Sequence, residues 1–320
     1  MIVEILKPEF VARISGVDAG AGPTDGEIAE IHAALDRYAV VVLRGQHLDD
    51  DRQLAFARRF GTVEATTSAR RKRLGVPGLV DLANINDDGE IFERSDEPHL
   101  FSLANQLWHT DSSFKSTPAR YSMLSCREAT ATGGETEFAD LRAAYDALAP
   151  EVKATLDGLV TEHAFIHSRR VLGFEGNVPA VEAMQPVWRP IVHVHAGSER
   201  TSLYLASHAS RILGWPVPEA RLLLFELTEH AAQPQFVYRH TWQAGDFVLW
   251  DNRCTMHRGL RYPMDQRRDV RRVSTTDVDS RLMVNDAELA ATRWRPWYII
   301  SVAGNDAGKA PYFAVTSITG

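Results

Sequence analysis

Short apolar segments, several rich in β-branched residues, alternate along the chain with amphipathic segments of helical period. Residues 38–43 form a continuous apolar run, which is typical of a strand buried on both faces. Residues 119–126 alternate apolar and polar side chains, which predicts a strand with one buried face. Shorter strands are predicted over 136–138, 190–195, 201–207, 236–242, 247–250 and 270–276.

Helical patterns flank these strands. Thr24 and Glu27 have the spacing of a capping box, and apolar residues follow at helical intervals up to the strand at 38. The last predicted helix begins with a proline in its first turn and is expected to bury Leu222, Phe225 and Leu227. Helices after the first are predicted over 49–60, 140–148, 151–159 and 218–232.

Three segments lack a clear period. Residues 92–103 are predicted to be irregular chain, and residues 173–187 a surface insertion. Residues 70–73 (R-R-K-R) form a dense positive run. Such a run is usually a solvated face, and the alternative is a loop that delivers a cation to an anionic substrate.

Several short strands with turn signals, framed by a few helices, indicate a β-sandwich or barrel with flanking helices. No repeat or low-complexity linker marks a boundary, so residues 1–280 are predicted to be a single domain. Residues 281–320 form a C-terminal extension of unknown role that carries Trp294, Trp297 and Tyr298. We expect it to pack as an extra element or at an oligomer contact. The second case would make the protein a homo-oligomer, and the sequence does not decide between the two.

Composition narrows the class of protein. The chain has 320 residues, 44% of them hydrophobic, and a formal net charge of −7, which argues against a general nucleic-acid binder. Cys126 and Cys254 do not make a disulfide framework, so reduced thiols in a cytoplasmic protein are expected. The N-terminus does not have the pattern of a signal peptide, and no apolar run approaches membrane-spanning length.

The pair His109 and Asp111 is the first candidate for chemistry. Residues two apart on an extended segment point the same way, so an imidazole and a carboxylate converge. His257 is a candidate third ligand far along the chain. Two histidines and one carboxylate leave the opposite face of a metal open, as in non-haem Fe(II) oxygenases, although the same residue types also serve zinc hydrolases.

Four strings occur in one order: W-H-T-D at 108–111, G-G-E-T at 133–136, W-D-N-R-C-T-M-H-R at 250–258, and an arginine-rich segment at 267–272. In this combination the sequence resembles the TauD/TfdA family of Fe(II)- and 2-oxoglutarate-dependent dioxygenases, over residues 2–277. It is most similar to the branch that acts on aryloxyacetates such as 2,4-dichlorophenoxyacetate. The resemblance implies a double-stranded β-helix (jelly-roll) core.

The resemblance also implies roles for individual residues. His109, Asp111 and His257 would bind Fe(II), and Thr136 and Arg268 would bind the distal carboxylate of 2-oxoglutarate. A guanidinium matches a carboxylate by two parallel hydrogen bonds. Arg272, four residues beyond Arg268 and on the same face of a strand, would bind the acid group of the primary substrate.

Three further positions are implied to contact the substrate. Asn105 matches an active-site position of the sulfonate branch, and His195 and His208 match pocket histidines of the aryloxyacetate branch. A single histidine is more often a core or surface residue. Arg211 stands where that branch has a further histidine, which leaves the shape of the substrate open.

Two neighbours of the motifs receive structural interpretations. Trp108 is expected to pack in the core, as large aromatic side chains usually do. Asp251 and Asn252 are expected to form hydrogen bonds within their own turn.

The resulting hypothesis is an enzyme that uses Fe(II), 2-oxoglutarate and O2 to hydroxylate a small anionic substrate, with no nucleic-acid or membrane partner. Hydroxylation of an aryloxyacetate beside its ether oxygen gives an unstable hemiacetal, which releases a phenol and glyoxylate alongside succinate and CO2. A taurine or alkylsulfate dioxygenase of the same family is the alternative. A metal-binding module without turnover and a zinc hydrolase are the rivals from other classes, and the second lacks an H-E-x-x-H motif.

Overall fold

The computed structural model of the protein describes most of the chain. The described residues are 1–65, 76–174, 184–278, 281–285 and 289, with the backbone of 299–302 and 313–316. The basic run 70–73 and the aromatic residues Trp294, Trp297 and Tyr298 lie outside the described residues. The predictions for these segments therefore stay predictions.

The described chain is mainly β with flanking helices, as predicted. Its strands are β1 (Ile2–Lys7), β2 (Val11–Ser15), β3 (Val40–Leu43), β4 (Leu79–Asp81), β5 (Ala119–Glu128), β6 (Thr136–Asp140), β7 (Val160–His163), β8 (Val187–Pro190), β9 (Val192–Val194), β10 (Thr201–Leu203), β11 (Ala209–Ile212), β12 (Val237–His240), β13 (Phe247–Asp251), β14 (Thr255–Gly259), β15 (Asp269–Thr276), β16 (Ile299–Val302) and β17 (Phe313–Thr316). Its helices are α1 (Asp25–Tyr38), α2 (Asp50–Arg58), α3 (Glu97–Ser102), α4 (Leu141–Asp146), α5 (Pro150–Leu156), α6 (Phe165–Val171) and α7 (Val217–Ala231), with a 3-10 turn over Leu103–Gln106.

Among the described residues, the largest sheet has seven strands in the order β1-β2-β3-β13-β5-β15-β4. Only β2 and β3 pair in parallel. A smaller sheet with the order β12-β6-β14 faces it. Between the two sheets, Phe138 of β6 packs edge-on against Trp250 of β13, with ring centroids 5.3 Å apart. The remaining sheets are the three-stranded β11-β7-β8 and the two-stranded β9-β10 and β16-β17.

The start of the chain confirms the predicted capping box and corrects the end of the helix. The Thr24 hydroxyl accepts from the Glu27 amide at 3.3 Å, and the Glu27 carboxylate accepts from the Thr24 amide at 2.8 Å. Helix α1 continues through Tyr38, which was assigned to the following strand. Ala39 then adopts a left-handed conformation with φ 61° and closes the helix by donating to the carbonyl of Leu35.

Two helical predictions are wrong in detail. In α7, Leu222 and Phe225 are 57% and 63% exposed, whereas Leu223, Leu224 and Leu227 are buried. The run of consecutive apolar residues at 222–225 fits more than one helical phase, and contacts with the rest of the protein select between them. Segment 92–103 is only partly irregular, because α3 occupies Glu97–Ser102 and the 3-10 turn begins at Leu103. None of the described helices has the length and hydropathy needed to cross a membrane.

Candidate metal centre and adjoining cavity

The two predicted histidine ligands face each other across an antiparallel β-bridge. The His109 amide donates to the His257 carbonyl at 2.9 Å, and the His257 amide donates to the His109 carbonyl at 2.8 Å. On its other side, His257 in β14 pairs with Phe138 of β6. This register brings the imidazole centroids to 4.2 Å, although 148 residues separate them in sequence.

Asp111 is fixed beside the two histidines by Ser122, which no sequence pattern indicated, and by Asn252, which was expected to act only in its own turn. Its Oδ2 accepts from the Ser122 hydroxyl at 2.7 Å, and its amide donates to Oδ1 of Asn252 at 3.2 Å. The Asn252 amide group also donates to Ser122 at 2.9 Å. Asn252 forms the expected local hydrogen bond by accepting from Nε1 of Trp250 at 3.1 Å, and it also positions Asp111, which is distant in sequence.

The three side chains fit a divalent metal ion. One ligand atom from each of His109, Asp111 and His257 lies within 4.8 Å of the others, and all three residues are buried. Nδ1 of His109 donates to the carbonyl of Leu107 at 2.8 Å, which leaves the lone pair on Nε2. His109 Nε2 lies 3.9 Å from the carboxylate of Asp111, and His257 Nε2 lies 3.8 Å from it.

The protonation states also suit metal binding, which requires neutral imidazoles and an ionised carboxylate. Burial lowers the pKa of His109 and of His257. Burial alone would raise the pKa of Asp111, but Arg272, His257 and His109 outweigh it and hold that pKa at about 2. At neutral pH the site therefore offers two nitrogen lone pairs and one negative charge.

Arg272 of β15 contacts the carboxylate of Asp111, so it lies beside the candidate metal centre. Its Nε is buried and has no hydrogen-bond partner among the described residues. Arg268, Val270 and Arg272 alternate along the chain, and all three line one cavity, as the predicted common face requires. Arg271, on the opposite face, pairs with Asp50.

A cavity of about 890 Å³ opens beside the metal centre. Six of the predicted site residues line it: Asn105, His109, Thr136, His257, Arg268 and Arg272. Thr136 accepts from Nε1 of Trp242 at 3.0 Å, so its own hydroxyl hydrogen is available to a ligand. Arg268 donates to the Gly134 carbonyl at 3.3 Å and has no carboxylate within ion-pair distance among the described residues.

The glycine pair of the G-G-E-T string has a steric role next to Arg268. Gly133 and Gly134 have φ of 73° and 74°. A Cβ on Gly133 would lie 2.5 Å from the Arg261 carbonyl oxygen, and one on Gly134 would lie 2.9 Å from the Thr130 hydroxyl oxygen and 3.4 Å from Nε of Arg268. Glycine therefore lets the chain pass between segment 261–262 and the arginine side chain.

The structure does not bring His195 to this cavity. Its Nε2 contacts Oδ2 of Asp251 at 3.0 Å, and its Nδ1 contacts the Ser198 hydroxyl at 2.8 Å. Both ring nitrogens are therefore occupied in a buried cluster that also contains Cys254. Asp251 accepts from the Arg253 amide at 2.9 Å within its own turn, as expected.

His208 lies one layer behind the candidate metal centre. Its ring centroid is 6.4 Å from that of His109, and the ring is buried against Phe114 and Phe165. Burial lowers its pKa well below the ordinary value, so it is neutral. Arg211, at the position of an expected further histidine, points elsewhere and pairs with Glu162.

Comparison with known proteins places this geometry in a family. The profile of the family described as "Taurine catabolism dioxygenase TauD, TfdA family" matches residues 3–274. An alpha-ketoglutarate-dependent 2,4-dichlorophenoxyacetate dioxygenase of Burkholderia sp. (strain RASC) is 45% identical over 283 residues, covering 87% of this chain and 95% of that protein. An alkylsulfatase of Acinetobacter baylyi (strain ATCC 33305 / BD413 / ADP1) is 31% identical over 274 residues, covering 82% of this chain and 81% of that protein.

A solved structure agrees with the sequence relatives. The crystal structure of AAD-2 in complex with Mn(II) and N-oxalylglycine superimposes with a TM-score of 0.83 at 44% identity. The match covers 89% of this chain and all of that one.

Proposed function

This chain belongs to the TauD/TfdA dioxygenase family, and from that premise we propose that it is an Fe(II)- and 2-oxoglutarate-dependent dioxygenase that hydroxylates an aryloxyacetate such as 2,4-dichlorophenoxyacetate. The observation that carries the proposal is a buried His-Asp-His cluster beside a cavity whose five lining arginines include two, Arg268 and Arg272, that are half-buried and have no counter-ion other than Asp111 among the described residues. Two cations in one cavity suit two anions, a cosubstrate and a substrate. Neither a zinc hydrolase nor a metal-binding module without turnover would require two such arginines.

His109, Asp111 and His257 would hold the metal. Fe(II) in such a site, together with 2-oxoglutarate and O2, supplies the oxidation of a substrate C–H bond while the cosubstrate becomes succinate and CO2. The contribution of the chain is to keep both imidazoles neutral and the carboxylate ionised. Ser122 and Asn252 orient the carboxylate, and outer partners of this kind affect metal affinity.

Arg268 and Thr136 would bind the distal carboxylate of 2-oxoglutarate. Arg268 lacks a counter-ion among the described residues, and Thr136 has a hydroxyl hydrogen to donate. Both side chains line the same cavity as the metal centre. The pair therefore orients the cosubstrate toward His109 and His257.

Arg272 would bind the acid group of the primary substrate, with Asn105 on the same cavity wall. Because Arg272 contacts Asp111, an acid group bound to it would lie close to the metal centre. The carbon between the carboxylate and the ether oxygen of an aryloxyacetate is then the one held for oxidation. Its hydroxylation gives a hemiacetal that breaks down to a phenol and glyoxylate.

The test compares phenol release from phenoxyacetate with sulfite release from taurine under equal Fe(II), 2-oxoglutarate and O2. We expect phenoxyacetate to have the higher kcat/KM. Arg272→Ala should weaken substrate binding by about 1.5–3 kcal/mol, the cost of losing a charge-assisted pair, while the 2-oxoglutarate requirement changes little. A higher kcat/KM for taurine would refute the assignment to aryloxyacetates.

An alkylsulfate dioxygenase is the second candidate. The observation in its favour is the similarity to an alkylsulfatase, at 31% identity. That identity is lower than the 45% to the dichlorophenoxyacetate dioxygenase. Arg272 alone does not separate a carboxylate from a sulfate ester. An alkyl sulfate such as hexyl sulfate therefore belongs in the same oxygen-uptake series, and a preference for it would select this candidate.

We also assign residues 1–280 to one catalytic domain whose two facing sheets form a double-stranded β-helix. The packing of Phe138 against Trp250 between the sheets supports this assignment. Cys126 and Cys254 are both buried free thiols, which fits a protein of the reducing cytoplasm.

A further inference from the structure

Four arginines are more than nine-tenths buried among the described residues, and three of them have strong partners. Two form ion pairs, and the third donates to main-chain carbonyls: Arg142 with Asp140, Arg253 with Asp251, and Arg189 with Ser113 and Ser116. A buried guanidinium without such partners is costly. The fourth, Arg169 of α6, therefore needs an explanation.

Arg169 is 7% exposed and has no carboxylate within ion-pair distance among the described residues. Its Nη1 donates to the hydroxyl of the adjacent Ser168 at 2.7 Å, and its Nε has no hydrogen-bond partner in the part of the chain that the structure describes. The guanidinium carbon lies 4.1 Å from the ring centroid of Phe165 and 4.7 Å from that of Phe101. Two aromatic faces stabilise the cation but do not balance its charge.

The position of Arg169 relates it to the cavity. Leu172, three residues later and therefore on the same side of α6, lines the cavity. Phe101 lies in α3 between Leu100 and Ser102, which also line it. Arg169 does not itself line the cavity, but it lies between two segments whose neighbouring residues do.

Arg169 is also close to the metal centre. Phe165 stacks on His208 at 5.7 Å, and His208 lies 6.4 Å from His109. Burial and then repulsion by Arg272 lower the pKa of Arg169 to about 10. The two arginines therefore repel each other, and the carboxylate that Arg272 contacts belongs to Asp111, a proposed metal ligand.

We propose that Arg169 is a second cation for the acid group of the primary substrate, which it binds together with Arg272. The proposal rests on the proposed function and deepens it. A bound metal ion draws on the charge of Asp111, so the two arginines are left with an excess of positive charge that an anionic substrate balances. Before the substrate binds, the rings of Phe101 and Phe165 hold the planar guanidinium of Arg169 in place.

The experiment measures ligand binding by calorimetry on protein loaded with Mn(II) and N-oxalylglycine. Arg169→Met keeps an unbranched side chain between the two rings and removes the charge, Arg169→Lys keeps a charge, and the exposed Arg170→Met is the control. Each protein is titrated with phenoxyacetate and with the uncharged 2-phenoxyethanol. The affinity of Arg169→Met for phenoxyacetate should fall roughly 10- to 100-fold, the effect of losing a charge-assisted hydrogen bond.

The uncharged ligand distinguishes charge recognition from a structural role. We expect Arg169→Met to bind 2-phenoxyethanol like the wild type, Arg169→Lys to recover part of the phenoxyacetate affinity, and Arg170→Met to match the wild type. Equal losses for both ligands, or an unchanged phenoxyacetate affinity, would overturn the proposal and leave Arg169 as a clamp between α3 and α6.

Taurine and hexyl sulfate are titrated in parallel to separate this proposal from the proposed function. If the wild type binds only hexyl sulfate, the aryloxyacetate assignment fails, and a loss of that affinity in Arg169→Met still supports the second cation. A wild type that binds none of the acids overturns both proposals.

Discussion

Two buried clusters in this protein contain histidine and aspartate at short range, and they differ in what their ligand atoms already contact. His109, Asp111 and His257 form one, and His195, Asp251 and Cys254 form the other. In each, one ligand atom per residue lies within 4.8 Å of the others, and every residue is buried. Proximity and burial therefore do not distinguish them.

Hydrogen bonds do distinguish them. Both carboxylate oxygens of Asp251 accept from Arg253, and Oδ2 also contacts His195. The other ring nitrogen of His195 is held by Ser198. In the first cluster, by contrast, the main-chain contact of His109 is made through Nδ1, which leaves Nε2 for a metal.

The second cluster is therefore a closed ion-pair network, and the first is an open ligand set. A metal site is recognised by coordination atoms that the protein orients but does not use. The cavity adjoins the open cluster, since His109 and His257 line it.

The largest expected effect comes from removing the carboxylate of the open cluster. Asp111→Ala should reduce substrate-linked succinate formation to background, because a ligand is lost from a set of three. Metal content by elemental analysis and succinate by chromatography check it, with circular dichroism as the test of folding. Full turnover in metal-defined Asp111→Ala would remove the distinction between the clusters.

The matching change in the closed cluster should act on stability instead. Asp251→Ala leaves Arg253 buried without its main partner, so we expect the free energy of unfolding to fall by about 3–5 kcal/mol. Urea denaturation of the metal-free protein measures the loss, and metal binding by the folded fraction should be retained. If Asp251→Ala instead loses the metal and keeps its stability, the roles of the two clusters are reversed.

The open cluster could be predicted from the sequence because two of its three residues, His109 and Asp111, are only two positions apart. The sequence did not identify Ser122, because only the pairing of β5 in the large sheet brings that hydroxyl to Asp111. The sequence also contained no sign that His195 lies in the closed cluster. Residue type does not tell a histidine that lines a cavity from one whose two nitrogens are already bonded.

The fold was predicted best where a pattern had one solution. The apolar run predicted as a strand at 38–43 forms the interior strand β3 (Val40–Leu43), flanked by β2 and β13. Helix α7 has several apolar residues in succession, and its phase was wrong at Leu222 and Phe225. Helix α3, over 97–102, was missed because none of its residues is buried, so it shows no apolar stripe.

The same contrast between paired and unpaired groups applies to the arginines. Arg253 has its carboxylate within the protein, whereas Arg268 has none among the described residues. Arg268→Gln should therefore raise the 2-oxoglutarate requirement by roughly 10- to 100-fold through loss of a charged bidentate contact, with little change for the primary substrate. Arg267→Gln is the control, because that side chain is exposed and pairs with Glu128. Equal effects from the two variants would place the cosubstrate contact elsewhere.

The smallest effect should come from Asn252, which lies in sequence between Asp251 and Cys254 of the closed cluster but contacts the open one. Asp251 serves the closed network, but the next residue, Asn252, supports Asp111 and Ser122 in the open one. Asn252→Ala removes an outer partner without removing a ligand, so metal affinity should fall about 10-fold while turnover at saturating Fe(II) is largely kept. Asn252→Asp tests the direction of the hydrogen bonds, because a carboxylate accepts from Ser122 but does not donate to it. Fe(II) titrations of both variants measure the change. An unaltered metal affinity would mean that Ser122 alone holds the carboxylate, and that the open cluster depends less on its surroundings than the closed one does.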